Sequence, residues 1–252
     1  IAAGGTAILK PAPEARAVGA LTVQILQEAC ETAGVSTHLV QLACTPDNEV
    51  GQHLITHDDV NKVILTGSLL TAEMFHTWKP TMRLNAEASG KNALIITAAA
   101  DMDQAIKDLV KSAFGHAGQK CSAASLGIIE ASVYDDPTFA IRLADAVRSL
   151  KVGDATDPAT IVGPVITDPS GALLRGLTSL DSGESWLVEP ANLGAHMWTP
   201  GVRWNTQPDS WFHLTECFGP VLGIMRADDL DHAIALQNAT QYGLTGGLHS
   251  LD

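Results

Sequence analysis

Val63-Ile64-Leu65-Thr66-Gly67-Ser68 reads as a short apolar strand running into a turn of small residues. What precedes it decides the fold. Thr6-Ala7-Ile8-Leu9 is another short apolar strand. From Ala17 to Ala33, the residues Val18, Leu21, Ile25, Leu26 and Ala29 recur at helical spacing, and Gly34 stops the run. Leu39 to Ala43 reads as a second strand and Val50 to His57 as a short helix. Strand, helix, strand, helix, strand with short links predicts a parallel sheet, so the fold class is α/β. Such sheets bind ligands outside the carboxyl ends of their strands, where Lys10 and Thr66-Gly67-Ser68 stand.

A second rhythm begins near Glu87. Asn92 to Thr97 reads as a buried strand. Asp101 caps a helix carrying Met102, Ala105, Ile106, Leu109, Val110 and Ala113 on one face. That helix breaks at Gly115-His116-Ala117-Gly118 and delivers Cys121 at a turn. Leu126 to Ile129 reads as a strand and Phe139 to Leu150 as an amphipathic helix. Thr156 to Pro164 and Trp186 to Pro208, rich in Pro, Gly and Asp, read as loops. Val221 to Met225 reads as a strand, Leu230 to Asn238 as a helix and Leu244 to Leu248 as a last strand. The expected domain boundary lies near residue 88, dividing 1–88 from 89–252.

A content of 46% hydrophobic and 17% charged residues supplies a sizeable core and argues against disorder. A formal net charge of −13 argues against a broad nucleic-acid or anionic-membrane surface. No run of apolar residues is long enough for a membrane span. Cys30, Cys44, Cys121 and Cys217 form no C-x-x-C pair, and no His stands at zinc-site spacing from them. This pattern predicts reduced thiols in a cytoplasmic protein with no metal site. Both ends fall inside apparent structure, so the expectation is a fragment of a longer protein.

Cys121 stands in Gly118-Gln119-Lys120-Cys121-Ser122. A turn after a helix exposes the sulfur and aims backbone N–H groups around it, and such donors lower a thiol's pKa and stabilise an oxyanion. A lone cysteine is more often a half-buried packing residue, and Cys30 and Cys44, in apolar periodic runs, keep that reading. Glu87, in Asn85-Ala86-Glu87-Ala88-Ser89-Gly90-Lys91, ends a strand before small residues. In a pocket, desolvation would make it a stronger base; alone, it reads equally as a surface carboxylate. Thr66-Gly67-Ser68 suits close approach of a pyrophosphate to a helix N-terminus, or a plain turn. Lys10, before Pro11, suits ribose hydroxyls or solvent. Glu216, before Cys217-Phe218-Gly219-Pro220, suits a site or a turn.

In order, these are Lys10-Pro11, Thr66-Gly67-Ser68, Glu87, Gly118-Gln119-x-Cys121 and Glu216-x-Phe218-Gly219-Pro220. That series strongly resembles the aldehyde dehydrogenase superfamily over nearly the whole chain. Phe114 to Ala123, Trp78-Lys79-Pro80, Ala86 to Asn92 and Tyr242-Gly243-Leu244-Thr245 are similar to its glutamate-semialdehyde (1-pyrroline-5-carboxylate) dehydrogenases. In bacteria these often follow a flavin-dependent proline dehydrogenase domain in one bifunctional proline-utilization chain.

The resemblance implies an aldehyde dehydrogenase-like fold: part of a Rossmann-type NAD-binding domain, then an α/β catalytic domain. It implies NAD-dependent oxidation of L-glutamate γ-semialdehyde to glutamate, with NADP as the other possible cofactor. Cys121 would be the nucleophile, with its backbone N–H as one oxyanion donor, and Glu87 the base. Lys10 and Glu216 would hold the riboses, Phe218 would pack near the nicotinamide, and Gly67 and Ser68 would lie against the pyrophosphate. Ser122 would bond the substrate carboxylate. The expected partners are a small aldehyde, a proline dehydrogenase domain in the parent chain and further copies in a homo-oligomer. The alternatives are another aldehyde, or a non-catalytic interaction module. Three places depart from the common pattern: Leu69-Leu70-Thr71-Ala72 follows Thr66-Gly67-Ser68 without the usual Gly, Pro13 stands where many members carry a Glu, and Ser89-Gly90-Lys91 replaces the more widespread Gly-Gly-Lys, as in the subfamily.

Overall fold

The structure is a computed structural model that describes residues 1–46 and 48–252. The chain divides into two compact units, Ile1–Leu65 with Leu70–Ala86, and Thr66–Leu69 with Glu87–Asp252.

The smaller unit pairs β1 (Ala7–Leu9) in parallel with β2 (Val40–Leu42) across helix α1 (Arg16–Thr32). Helix α2 (Glu49–Thr56) starts where Asn48 accepts the Val50 N–H at 3.0 Å. Strand β3 (Val63–Thr66) pairs with β4 (Leu84–Glu87) in a separate two-stranded sheet, with α3 (Leu69–Trp78) between them in sequence. The sequence predicts one sheet here, whereas the described strands form two pairs. Helix α1 forms where its apolar period predicts, but that stripe is not the face the unit buries. Val18, Leu21 and Ile25 are exposed, while Gly19 and Val23 are buried. Periodicity marks a helix and leaves its covering partner unspecified.

In the larger unit a six-stranded sheet runs in the order β12-β5-β6-β11-β10-β7. Its strands are β5 (Asn92–Ile96), β6 (Ala124–Glu130), β7 (Ser185–Val188), β10 (Gly201–Trp204), β11 (Val221–Ala227) and β12 (Gly246–His249). All neighbours are parallel except β7, which pairs antiparallel with β10 at the edge. The central strands β6 and β11 are buried over nearly their whole length, as a sheet covered on both faces requires. Helix α4 (Met102–Phe114) starts where Asp101 accepts the Gln104 N–H, and buries Ala105, Ile106, Leu109, Val110, Ala113 and Phe114. Helices α5 (Ala131–Tyr134), α6 (Pro137–Arg148), α7 (Gly171–Thr178), α8 (Trp211–Leu214) and α9 (Leu230–Asn238) complete the unit.

The segment from Trp186 to Pro208 is not the loop its Pro and Gly content suggests. It holds most of β7, all of β10, and a small hairpin of β8 (Asn192–Gly194) with β9 (Met197–Trp198). These strands are too short to show a period of two in sequence, and tertiary pairing decides them. Among the described residues no helix is long and apolar enough to cross a membrane.

Candidate active site

Three successive left-handed residues turn the chain after α4: His116 (φ 55°), Ala117 (φ 54°) and Gly118 (φ 68°). Two of them carry side chains, and each such residue is disfavoured by roughly 1–2 kcal/mol. Packing holds them there, since Ala117 is 2% exposed. Gly118 is required twice, by its φ and because a Cβ would collide with the Gly219 carbonyl. The chain then makes a tight turn around Cys121, in which the Ala123 N–H donates to Lys120 O at 3.1 Å.

Cys121 is half-buried and its Sγ donates to Glu87 Oε1 at 3.0 Å. The carboxylate contact is the leading cause that pushes the thiol above its ordinary value, with burial adding to it. The N–H groups of Ser122 and Cys121 pull the other way, as the turn predicts, but they are outweighed. The sequence expectation of a lowered thiol is therefore reversed, because the nearest charge is negative. Glu87 itself is exposed at the end of β4, as the surface alternative has it, and not enclosed in a pocket. Ser122, next in the chain, is exposed too.

Asn92, 4% exposed at the start of β5, braces the turn from inside. Its Nδ2 donates to Cys121 O at 2.7 Å and Ala123 O at 2.9 Å, and its Oδ1 accepts the Thr245 N–H at 3.1 Å. Sequence reasoning missed this role; an amide heading an otherwise apolar strand was the available signal. Glu216 Oε1 accepts the Gly90 N–H at 2.9 Å, which fixes that carboxylate two residues before Asn92. Phe218 has φ 56° and is 40% exposed. Cys121, Glu216, Cys217 and Phe218 line one cleft.

Gly67 and Ser68 follow β3 and are exposed in the same unit as Glu87. The Gly67 N–H donates to Glu87 O at 3.1 Å and the Leu69 N–H to Ser89 Oγ at 3.2 Å, so these two amides are already engaged. What Gly67 offers a phosphate is its bare Cα surface. Lys10 follows β1 in the smaller unit, which alone places it. The structure thus gathers Glu87, Cys121, Ser122, Glu216 and Phe218 on one body, with Gly67 and Ser68 just after the strand paired with that of Glu87. The donor set fits a nicotinamide cofactor, since an anchored carboxylate suits ribose hydroxyls and an exposed ring suits a planar heterocycle.

All four cysteines are free. Cys217 is packed at 6% exposure, and Cys30 is half-buried. Cys44 is exposed, against its expected packing, because it follows the end of β2.

A parallel α/β sheet that presents an accessible thiol hydrogen-bonded to a carboxylate defines a class of thiol-bearing α/β proteins. The chain belongs within it to the aldehyde dehydrogenase family, whose pattern it matches over residues 1–252. It is 33% identical over 258 residues to the 1-pyrroline-5-carboxylate dehydrogenase of Geobacillus kaustophilus (strain HTA426), covering 98% of this chain and 49% of that one. The chain spans about half the length of the curated relatives it matches. Proline utilization A (PutA) from Corynebacterium freiburgense superposes with a TM-score of 0.92 at 51% identity, covering 100% of this chain and 26% of that one. A betaine aldehyde dehydrogenase variant from Staphylococcus aureus, in complex with NAD+, superposes with a TM-score of 0.86 at 27% identity, covering 98% of this chain and 50% of that one.

Proposed function

We propose that this chain is the catalytic part of an enzyme that oxidises L-glutamate γ-semialdehyde to L-glutamate with NAD, NADP being the alternative cofactor. The observation that carries the reading is the 3.0 Å contact from Cys121 Sγ to Glu87 Oε1. Similarity to proteins named 1-pyrroline-5-carboxylate dehydrogenase and proline utilization A supports this aldehyde.

The chemistry follows from that pair. Glu87 takes the thiol proton as the Cys121 sulfur bonds to the aldehyde carbon. The Cys121 N–H, held by the turn, faces the oxygen that gains charge. The bound nicotinamide supplies the hydride acceptor. Cys121 then holds a thioester, and Glu87 deprotonates the water whose attack breaks the carbon–sulfur bond and frees the acid. The exposure of Glu87 suits both tasks, because it can reach water and return its proton to solvent. The Ser122 hydroxyl binds the substrate carboxylate. Lys10 and Glu216 would hold the riboses, Phe218 would pack near the nicotinamide, and Gly67 and Ser68 would lie against the pyrophosphate. Residues 1–88 then form part of the NAD-binding domain and residues 89–252 the catalytic domain. The whole protein works in the cytoplasm as a homo-oligomer, with a proline dehydrogenase domain in the same chain.

The test is cofactor reduction by the whole protein across a panel of aldehydes. Highest kcat/KM with glutamate γ-semialdehyde supports the reading. Preference for an uncharged aldehyde overturns the substrate, and reduction with none overturns the reaction.

A further inference from the structure

Gln119 lies two residues before the thiol and bonds to two other segments. Its Nε2 donates to Phe218 O at 3.2 Å and its Oε1 accepts the Ile166 N–H at 3.0 Å. The amide orientation is unambiguous, because a carbonyl can only accept and a backbone N–H can only donate. No carboxylate could make both bonds. The Phe218 end needs a hold: Phe218 is a non-glycine residue at φ 56° and is 40% exposed, so its own packing does little to fix it. The Ile166 end is anchored, since neighbouring Val165 is 3% exposed and its N–H donates to His196 O at 2.9 Å. Beside Gln119, Gly118 packs against the Gly219 carbonyl with no room for a side chain. The turn carrying Cys121 and the turn of residues 216–220 therefore meet backbone to backbone, with Gln119 tying them.

We propose that Gln119 is a positioning residue that holds the Cys121 turn and the 216–220 turn in one register, so that the thiol and the nicotinamide meet at a fixed separation. The proposal rests on the reading of Glu216 and Phe218 as cofactor residues. Reaction rates fall steeply when reacting groups are misplaced, so a small shift of this turn acts on turnover as well as binding.

Two substitutions in the whole protein separate the arms. Gln119→Ala removes both bonds. Gln119→Glu keeps an acceptor for Ile166 but sets a negative charge against Phe218 O. Both variants are expected to raise the KM for NAD and lower kcat, each by roughly three- to tenfold, the worth of one such bond. Amide hydrogen exchange of residues 216–220 rises in both, while Ile166 stays protected only in Gln119→Glu. Exchange within α4 stays at the wild-type rate, which excludes general loosening. Unchanged exchange at 216–220 in both variants overturns the clamp. Faster exchange with unchanged kcat and KM reduces Gln119 to a structural tie and overturns its positioning role. If the unsubstituted protein reduces no cofactor with any aldehyde, the functional reading fails and takes the catalytic half of this proposal with it. The exchange arm still decides whether the clamp exists.

Discussion

Cys121 and Cys217 line the same cleft, and both thiols are pushed above their ordinary value, yet for opposite reasons. At Cys121 the leading cause is the hydrogen bond to Glu87, so the proton has a carboxylate to move to. At Cys217 the leading cause is burial, against which Lys91 and Arg203 pull only in part. A raised pKa therefore does not classify a thiol; its cause does. The surroundings differ likewise. Cys121 stands beside exposed groups braced by backbone bonds. Cys217 stands within reach of buried charges, among them Arg203, whose guanidinium pairs with Glu184, both side chains fully buried. Arg203 also donates to Gly176 O at 3.0 Å and Ser179 O at 2.5 Å. Lys91 Nζ lies 3.8 Å from the Phe212 ring centroid with no hydrogen-bond partner among the described residues. Burial pulls that ammonium down to about 8, the charge of Cys217 opposing and Arg203 adding to the pull.

The sharpest test of the contrast removes the thiol beside Glu87. Cys121→Ala should lower aldehyde oxidation by at least on the order of 10⁴-fold and leave the denaturation midpoint nearly unchanged. A large loss of stability would place Cys121 with Cys217 among packing residues. Glu87→Gln comes next. It retains the shape but cannot take a proton, and should lower kcat by about 10²–10⁴-fold. In that variant Cys121 should also titrate lower than in the parent, because a neutral amide replaces the carboxylate that raises it both by hydrogen bond and by charge. Alkylation rate against pH reads this directly, and an unmoved profile would mean the contact is not what raises the thiol. On the buried side, Glu184→Gln leaves Arg203 without its closest counter-charge and should cost about 3–5 kcal/mol. Urea midpoints measure that loss, while Cys121 alkylation in the folded protein should not change. A cost below about 1 kcal/mol would mean that Asp181, 3.8 Å from Arg203, already suffices.

The same contrast separates what the sequence displays from what it hides. That Cys121, Glu87 and the 216–220 turn come together was legible because a thiol, a carboxylate and turn glycines stand in short, ordered peptides. Helix α4 was legible because its apolar face is the face it buries. Helix α1 was legible as a helix but not in its packing, because a stripe of Val18, Leu21 and Ile25 does not say what covers it. The pairing of Arg203 with Glu184 was hidden, because two charged residues 19 positions apart look like solvent-facing residues until the sheet buries them. The strands within 186–208 were hidden for a related reason: β10, on which β7 pairs, is itself paired with β11, which comes later in the chain. Asn92 and Gln119 act through backbone atoms of distant segments, and a backbone acceptor leaves no mark in a sequence.

Two smaller effects sharpen the buried side. His213 is fully buried, and its ring is used as a neutral tautomer. Nδ1 accepts the Asp209 N–H and Nε2 donates to Leu236 O, each at 2.9 Å. Burial, the leading cause, holds its pKa below 6.5, and Lys91 adds to that. The unfolded chain then binds this proton before the folded one does, so stability falls as pH drops below about 6.5. Urea midpoints between neutral and mildly acidic pH should show that slope, and His213→Gln, which gains no proton, should flatten it. An equal slope in both proteins would remove His213 as its source.

The smallest effect concerns Cys217 itself. Its Sγ lies 2.8 Å from where a Cβ on Gly176 would stand, in helix α7. Two opposing contributions meet at this glycine. Alanine favours a helix interior over glycine by about 1 kcal/mol. Overpacking against a buried sulfur costs about 1–3 kcal/mol. Gly176→Ala alone should therefore be destabilising or close to neutral. Cys217→Ala alone should be mildly destabilising, since it removes a buried sulfur. The double variant should be more stable than the sum of the two predicts, because the smaller side chain at 217 admits the new methyl and the helix gain survives. A coupling of about 1 kcal/mol is the expected size for residues in contact. Additive effects would mean that the Cys217 side chain rotates away without cost, so that the packing around it is not the rigid counterpart of the Cys121 turn.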